Sequence, residues 1–255
     1  MKLIKKNPTK SDKNPKFSEY YKDKYVVDTY EEKRERGLKS KIVRVLERIY
    51  VLKLLNNENE NKKILEAGIG TGYITEILKN KGEFTGFDIS ETMIQKTKQK
   101  YPDLKTFQLS ILDEKLFKKI NQRFDYIVSI RVISHFNNKD ALKSLENLKT
   151  LLNKKGLIIF NLENNSFTRS FLRNITQWGS TRTFQYSKKD LKELLEESNL
   201  EINDYYYLDH LFMIPLHLLN KILKNKLDNF IKLQEIKLSK IKFSSSNIFL
   251  SCKPE

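Results

Sequence analysis

The stretch ILEAGIGTGYITEIL, residues 64–78, decides how the rest of the chain is interpreted. An apolar run typical of a buried strand meets three glycines at alternate positions, and a helix-like pattern follows. Glycine-rich turns between a strand and a helix hold nucleotide-like ligands, and those that bind dinucleotides have the pattern G-x-G-x-x-G. Here the glycines are Gly68, Gly70 and Gly72, and Tyr73 occupies the position that would need the last glycine. The dinucleotide pattern is therefore not met.

Two acidic residues near this turn indicate which ligand it holds. Glu66 lies at the end of the first strand, two residues before Gly68. Its charge would repel a pyrophosphate but suits a ligand that carries an ammonium group. Asp88 ends the next apolar strand, in FTGFDIS, and a carboxylate there can accept hydrogen bonds from both ribose hydroxyls. Together with the glycine spacing, the two acids favour S-adenosylmethionine, which has an amino-acid head, a sulfonium charge and no phosphate.

Short apolar strands alternate with amphipathic helices from this turn onwards. Such repeated βα units predict a parallel sheet covered on both faces. The expected fold is a doubly wound α/β fold with a mostly parallel sheet of seven strands, the last of them antiparallel. The predicted strands are 63–67, 83–87, 104–109, 124–130, 156–162, 201–208 and 247–251, and the predicted helices are 72–80, 91–100, 114–121, 139–152 and 188–198.

The chain is expected to form one domain with additions. A flexible basic tail (1–16) and an N-terminal helical cap (17–60) precede the cofactor-binding core (61–208). About 38 residues separate the last two strands, which is too long for a simple hairpin loop. A helical insert (209–245) is therefore predicted between strands six and seven, as an acceptor lid or a dimer surface, and residues 246–255 complete the core. Ser187 and Asp190 have the spacing of a capping box for the helix that follows.

Four motifs in order resemble those of the class I S-adenosylmethionine-dependent methyltransferases. ILEAGIGTG is similar to that family's first motif, and FTGFDIS with Met93 is similar to its second. FDYIVSIRVISHF (124–136) resembles the strand-four motif, and GLIIFNLEN resembles the fifth strand with the loop after it. The resemblance covers residues 25–208. It implies S-adenosylmethionine as the cofactor, S-adenosylhomocysteine as the product and no metal.

The resemblance also implies roles for the residues that match these motifs. Gly68, Gly70 and Gly72 would let the backbone approach the methionine moiety, Glu66 would orient that moiety, and Asp88 would hold the ribose. The other residues implied at the cofactor are Ile89 on an adenine face, Ser110 and Ile111 where the family often has an acid for the adenine amino group, Ile130 at the end of strand four, and Tyr30 and Arg36 from the segment before the core. Ordinary packing of Ile89, Tyr30 and Arg36 remains the alternative.

The residues after strand four report on the acceptor. Methyl transfer from a sulfonium is an in-line displacement, and a base is needed only if the acceptor has a proton to lose. His135 can take a proton from a hydroxyl near neutral pH, or can serve only in capping or packing. Arg131 is either an anion contact or a solvent-facing neighbour of the cleft. The run from Ser129 lacks the polar residue and proline pair typical of enzymes that methylate the exocyclic amines of bases. Carbon-5 methylation of pyrimidines needs a catalytic cysteine, and Cys252 is expected far from the ligand edge. An oxygen of a small molecule is therefore the expected acceptor, with nitrogen less favoured.

The charge balance leaves other functions open. The formal net charge is +16, and the segments 1–24 and 221–255 each carry eight lysines against three acids. Only nine of the basic residues are arginines, which bidentate phosphate recognition favours. A solvated lysine-rich surface is therefore favoured over RNA binding or RNA modification by the basic ends. Contact of the insert with an anionic membrane, a homodimer through the insert, and a catalytically inactive methyltransferase-like binding subunit also stay open.

Cysteine content and hydropathy limit the remaining classes. Cys252 is the only cysteine, so an internal disulfide and a thiolate metal cluster are not expected. The first ten residues hold no hydrophobic signal segment. The longest apolar run, LFMIPLHLL, is about half of the roughly 20 residues that span a bilayer. A cytoplasmic protein is expected.

Overall fold

The computed structural model describes residues 27–35, 40–55, 62–164, 183–210, 213–240 and 245–255. The predicted tail (1–16) and Arg36 lie outside the described residues. None of the helices in these ranges combines the length and the apolar character that crossing a membrane requires.

The centre of the fold is a mixed sheet. Its strands in chain order are β1 (Lys62–Ala67), β2 (Gly82–Asp88), β3 (Lys105–Gln108), β4 (Phe124–Ser129), β5 (Leu152–Asn164), β6 (Gln185–Tyr186), β7 (Leu200–His210) and β8 (Ser245–Pro254). The spatial order is β3-β2-β1-β4-β5-β8-β7, and β6 pairs with β5 off this path. The first five strands pair in parallel, whereas β8 is antiparallel to both β5 and β7. The predicted doubly wound fold with an antiparallel last strand is confirmed, and the two-residue β6 adds to the seven predicted strands.

Helices cover both faces of the sheet. In chain order they are α1 (Tyr30–Glu35), α2 (Ser40–Leu54), α3 (Thr75–Leu78), α4 (Glu91–Lys100), α5 (Leu116–Ile120), α6 (Asn138–Thr150), α7 (Lys188–Ser198), α8 (Ile214–Ile222) and α9 (Asp228–Leu238), with a 3₁₀ turn at Ile133–His135. The helix predicted over 72–80 is wrong at its start, because Gly72 has φ +81° and cannot continue a right-handed helix. Helix α7 has its predicted bounds and both hydrogen bonds of the Ser187–Asp190 capping box.

Alternation along the strands builds two hydrophobic cores. Successive side chains of a strand point to opposite faces, so Leu65 of β1 packs with α6 and α7, whereas Ile64 packs with α2. Both side chains are fully buried or nearly so. Burial on both faces explains why the parallel strands are continuous apolar runs.

The insert and the N-terminal cap pack together. Tyr50 of α2 stacks on Tyr206 of β7 with 4.9 Å between the ring centroids, and its hydroxyl donates to the carbonyl oxygen of Glu235 in α9 at 3.2 Å. The predicted helical insert between the last two long strands is therefore present as α8 and α9.

Because β8 runs antiparallel to both of its neighbours, β7 runs parallel to β5. The insert thus leaves the sheet at the carboxyl edge, which is the edge where β1, β2, β4 and β5 end.

Candidate active site

The turn after β1 is held against the end of β2. The backbone N–H groups of Gly68 and Ile69 both donate to the carbonyl oxygen of Phe87, at 2.8 and 3.0 Å. Gly68 has φ +83°, and a Cβ there would lie 2.3 Å from Cγ2 of Val132. Gly70 has φ +53°, but a Cβ there would meet nothing within 4 Å. The first glycine is therefore required by close packing, whereas the second leaves open space at the surface of the turn.

Asp88 connects this turn to helix α4. Its Oδ2 accepts a hydrogen bond from the N–H of Gly70, and its Oδ1 accepts one from the N–H of Ser90, both at 2.9 Å. Ser90 in turn caps α4 through its side chain, which accepts from the N–H of Met93 at 3.3 Å. Burial raises the pKa of Asp88, and these backbone hydrogen bonds oppose the rise. A carboxylate can accept about four hydrogen bonds, so acceptor capacity remains for a ligand hydroxyl.

Glu66 is a buried acid beneath the same turn. Its side chain is 3% exposed, and its Oε2 accepts a hydrogen bond from Oγ1 of Thr75 at 2.6 Å. Burial raises the pKa of Glu66 to about 8, the hydrogen bond from Thr75 opposes this rise, and the nearby charge of Asp88 adds to it. Glu66 is therefore protonated near neutral pH in the ligand-free protein, and a cation bound at this end of the turn would lower its pKa and favour the charged form.

Eleven of the residues predicted at the site line one cleft at the carboxyl edge. They are Tyr30, Glu66, Gly68, Gly70, Asp88, Ile89, Ser110, Ile111, Ile130, Arg131 and His135. Gly72 lies behind the turn, where a Cβ would come within 3.1 Å of Thr97 and Tyr101. Arg36 is outside the described residues, so its predicted role is not addressed.

The loop after β3 forms the wall where an adenine is expected. Ile89 is 41% exposed although it is a large apolar side chain, and it faces the cleft. Oγ of Ser110 accepts from the N–H of Leu112 at 3.2 Å, and Ile111 is buried. A hydroxyl that accepts one hydrogen bond keeps its own hydrogen to donate. Ser110 can therefore donate a hydrogen bond to a ring nitrogen. It can also accept one from the adenine amino group, but without the full negative charge of an acidic residue.

The loop after β4 forms the opposite wall. Arg131 has φ +62°, an unusual conformation for a residue with a side chain. Its backbone N–H donates to Oδ1 of Asn161 at 2.6 Å. Its guanidinium makes hydrogen bonds of 2.6–2.9 Å to both carboxylate oxygens of Glu47 in α2. His135 ends the 3₁₀ turn on the same wall and faces the cleft.

Several residues at the site were not predicted from the sequence. Arg44 lines the cleft, pairs with Glu31 at 2.6 Å and lies with its guanidinium 3.9 Å from the centroid of the Tyr73 ring. Glu31 also accepts a hydrogen bond from the hydroxyl of Thr71 in the glycine turn. Hydrogen bonds from Thr71 and Arg44 hold the pKa of Glu31 below its usual value, although burial acts in the opposite direction. Through these contacts α1 and α2 fasten onto the turn.

One sequence signal could have identified part of this set. Arg44 and Glu47 are charged residues of α2 that are buried in the fold, as are the neighbouring Leu46 and Tyr50. Charged side chains on a buried helix face are rare unless they are paired. Asn161 is a similar signal, since it is a fully buried polar residue in the apolar run of β5.

Three observations favour S-adenosylmethionine as the ligand of this cleft. The open space beside Gly70 admits a ligand up to the backbone. Asp88, together with Glu66 once a bound cation has lowered its pKa, favours a cationic ligand over a pyrophosphate. The exposed Ile89 offers an apolar surface for a base. No cluster of metal-ligating side chains occurs within the described ranges.

Comparisons with known proteins agree with this geometry. The family described as "Methyltransferase domain" matches residues 30–204. A malonyl-acyl-carrier protein O-methyltransferase from Bacillus cereus is 28% identical over 190 residues, which cover 68% of each chain. The enzyme of the same name from Bacillus anthracis is 28% identical over 64% of this chain and 65% of its own length. An uncharacterized methyltransferase from Oceanobacillus iheyensis is 27% identical over 40% of this chain and 47% of its own length.

The chain thus spans about half of the Oceanobacillus protein and just under two thirds of the Bacillus anthracis enzyme. Solved structures with a similar fold include the magnesium protoporphyrin IX methyltransferase of Synechocystis with bound SAH, at a TM-score of 0.64 and 14% identity over 94% of this chain and 100% of that one. The CcbJ methyltransferase of Streptomyces caelestis has a TM-score of 0.62 and 12% identity over 92% of this chain and 98% of that one. At identities this low, the similarity shows a shared fold only.

Proposed function

The chain belongs to the methyltransferase domain family and has the Rossmann-like fold of its class I members. On this premise, we propose that it transfers a methyl group from S-adenosylmethionine to an oxygen atom of a small-molecule acceptor. The observation that carries the proposal is the cleft, where Glu66 and Asp88 lie beside the glycine turn and His135 lies on the opposite wall. The chain is then an enzyme whose specificity depends on the walls contributed by the N-terminal cap and the loop after β4.

We assign a role to each of the residues at the cofactor end of the cleft. Bound S-adenosylmethionine would supply a methyl group activated by the positive charge of its sulfonium. Asp88 accepts hydrogen bonds from the ribose hydroxyls while it continues to hold Gly70 and Ser90. Glu66, whose orientation is fixed by Thr75, would accept a hydrogen bond from the ammonium group, whose charge would lower the pKa of this carboxyl and favour its ionised form. Ile89 covers one face of the adenine.

The acceptor end is assigned to the loop after β4. Alignment of the acceptor supplies most of the acceleration in a displacement of this kind. His135 accepts the proton that a hydroxyl acceptor loses, because an imidazole titrates near neutral pH. Arg131 acts mainly as a positioning residue, since its guanidinium is held by Glu47.

Two observations support oxygen over other acceptor atoms. The names of two relatives describe O-methyltransferases. Cys252, the one cysteine of the chain, is fully buried, pairs with Ile158 in the middle of β5 and is not among the residues that line the cleft. Burial raises the pKa of this thiol to about 12, which disfavours a nucleophilic thiolate of the kind that pyrimidine methylation uses.

Calorimetry tests the cofactor assignment. We expect S-adenosylmethionine to bind and NADH not to bind. Asp88→Ala should weaken binding at least tenfold, about 1.4 kcal/mol, because it removes the ribose contact and releases Gly70. Asp113→Ala is the matched control, since that acid pairs with Lys119 outside the cleft and its loss should leave the affinity unchanged. Binding of NADH in place of S-adenosylmethionine would overturn the proposal.

Turnover with a labelled methyl group tests the reaction itself. Small molecules with hydroxyl or carboxyl groups are the acceptors to screen, with amines as the comparison. On any hydroxyl acceptor found, His135→Ala should lower kcat by about 100-fold or more, the usual contribution of a general base, while the affinity for S-adenosylmethionine stays the same. A carboxylate acceptor has no proton to lose, so its methylation should not show this loss. Transfer to amines alone would contradict the oxygen assignment. Binding without any transfer would indicate a binding subunit.

A further inference from the structure

Helix α8 has its polarity reversed relative to an ordinary surface helix. His217 and Asn220 are buried on its inner face, whereas Leu218, Leu219 and Ile222 are exposed. Ile222 is 77% exposed. Surface helices normally direct their apolar stripe to the core and their polar residues to water. The outward face of α8 is therefore built for contact with something other than water.

The turn after α8 and the following helix extend this apolar surface. Leu223 is 40% exposed, and Phe230 and Leu233 of α9 are each about half exposed. Large apolar side chains exposed one at a time are normal, but a group of them on adjacent elements marks an interaction site. We call these six residues, Leu218, Leu219, Ile222, Leu223, Phe230 and Leu233, the apolar patch.

Cationic side chains accompany the apolar patch. Lys221 lies on α8, and Lys224 and Lys226 lie in the turn between the helices, all three exposed. The acids of residues 213–240 are directed elsewhere. Asp228 accepts a hydrogen bond from Nδ2 of Asn220 at 2.7 Å, and Glu235 is buried. The exposed surface of this segment thus combines apolar and positive groups.

We propose that the hairpin of α8 and α9 docks this protein on an anionic lipid surface. Apolar side chains that enter the headgroup region, next to lysines that contact anionic headgroups, are the features of a helix that lies in a membrane interface. A second copy of the chain is a poorer partner, because a two-fold contact would bring the lysines of both copies together. A nucleic acid would match the lysines but would leave the leucines in water.

The position of the hairpin fits this role. It leaves the sheet at the carboxyl edge, where the cleft also lies. A docked hairpin would therefore hold the cleft close to the lipid surface. The proposal rests on the surface of the insert alone and does not depend on methyl transfer.

Flotation with lipid vesicles tests the proposal on the full chain. We expect binding to vesicles that contain phosphatidylglycerol and little binding to vesicles of phosphatidylcholine alone. The double variant Leu219→Ser, Ile222→Ser should weaken binding to the anionic vesicles about tenfold or more. Ile202→Ser is the matched control, because Ile202 is 42% exposed and lies at the start of β7, away from the carboxyl edge. Lys224→Gln with Lys226→Gln should also weaken binding to the anionic vesicles.

Each remaining outcome decides against the proposal. Failure of the wild-type chain to float with anionic vesicles overturns it, and so does full binding by the Leu219, Ile222 variant, which would assign lipid contact to other lysines. A dimer in light scattering that this variant dissociates would assign the patch to a second copy. Affinity for S-adenosylmethionine, measured on the same samples, shows that the variants are folded and keeps this test separate from that of the methyl-transfer reaction.

Discussion

At the scale of single residues, Gly68 and Gly70 serve different purposes although they are two positions apart. Both have positive φ, which costs about 1–2 kcal/mol for a residue with a Cβ. Only at Gly68 would the Cβ also overlap Val132. We expect Gly68→Ala to lower the free energy of unfolding by clearly more than Gly70→Ala, which should cost about 1–2 kcal/mol. Urea unfolding of the two variants measures the difference.

The same pair separates folding from binding. A Cβ on Gly70 would enter the open space beside the turn, so Gly70→Ala should weaken S-adenosylmethionine binding even though the protein remains folded. Equal losses of stability in the two variants would show that Val132 moves aside. Unchanged affinity in Gly70→Ala would show that the ligand does not approach the backbone there.

Glu66 makes stability depend on pH. The folded protein holds this proton up to about pH 8, whereas the ordinary pKa of the group is 4.5. The folded state therefore binds more protons between these values. The stability that the proton contributes is fully present below about pH 4.5 and is lost as the pH rises through about 8. Each pKa unit corresponds to about 1.4 kcal/mol.

We expect Glu66→Gln to remove this contribution. Near pH 5 the variant and the wild type should have similar free energies of unfolding, and near pH 8 the variant should be the more stable, because it has no charge to bury. Urea unfolding across this range measures the two profiles. Glu83→Gln, which replaces an exposed acid on β2, is the matched control. Parallel profiles for Glu66→Gln and the wild type would show that Glu66 is ionised in the folded protein at neutral pH.

At the scale of elements, the pair of Arg131 and Glu47 joins the loop after β4 to α2. Glu47 is 2% exposed and Arg131 is 24% exposed. Arg131→Met would leave a buried carboxylate without this guanidinium, which should cost about 3 kcal/mol, the lower end of the range for broken buried pairs, because Arg131 is partly exposed. The double variant Glu47→Leu, Arg131→Met should recover most of that loss, since apolar replacements of buried pairs are often neutral.

Chemical unfolding of both variants measures this coupling. Lys143→Met is the control, because it breaks the exposed pair with Glu114 and should cost about 0–1 kcal/mol. A double variant as unstable as Arg131→Met would show that the loop needs this arginine for reasons other than its charge. Its left-handed backbone and the bond to Asn161 are then the features to examine.

The elements also show what a sequence can predict. Helix α7 was predicted to the residue because its start is encoded locally, by Ser187 and Asp190. Helix α2 lies within the predicted helical cap, but its burial does not follow residue polarity, because Val45 is 40% exposed whereas Arg44 and Glu47 are buried. These two side chains are buried through partners 13 and 84 residues away in sequence. Contacts at such separations leave no periodic signal.

At the scale of the whole molecule, strand order decides what can reach the cleft. The last two long strands were predicted from their apolar runs, but their position in the sheet depends on pairings with β5 across many residues. Because β8 lies between β5 and β7, the end of β7 reaches the carboxyl edge and the insert starts there. The glycine turn and its acids could be predicted, since they occur in one short segment. The residues of the loop after β4 were also predicted at the site, whereas the contact of this loop with α2 was not, because Arg131 and Glu47 meet only in the folded chain.

The net charge of +16 is a further property of the whole molecule and has a measurable consequence. A large excess of one sign destabilises the compact state by self-repulsion. Salt screens such repulsion, since the screening length falls from about 30 Å at 0.01 M to about 8 Å at 0.15 M. The ion pairs of the described residues are direct contacts of at most 3.8 Å, so the same change in salt weakens them less. We expect the free energy of unfolding to rise with sodium chloride over this range.

The variant Lys224→Glu, Lys226→Glu carries +12, because each change replaces a positive charge by a negative one, and its stability should depend less on salt. Stability that falls as salt is added would mean that attractive pairs, rather than the excess of lysine, dominate the electrostatics of this fold.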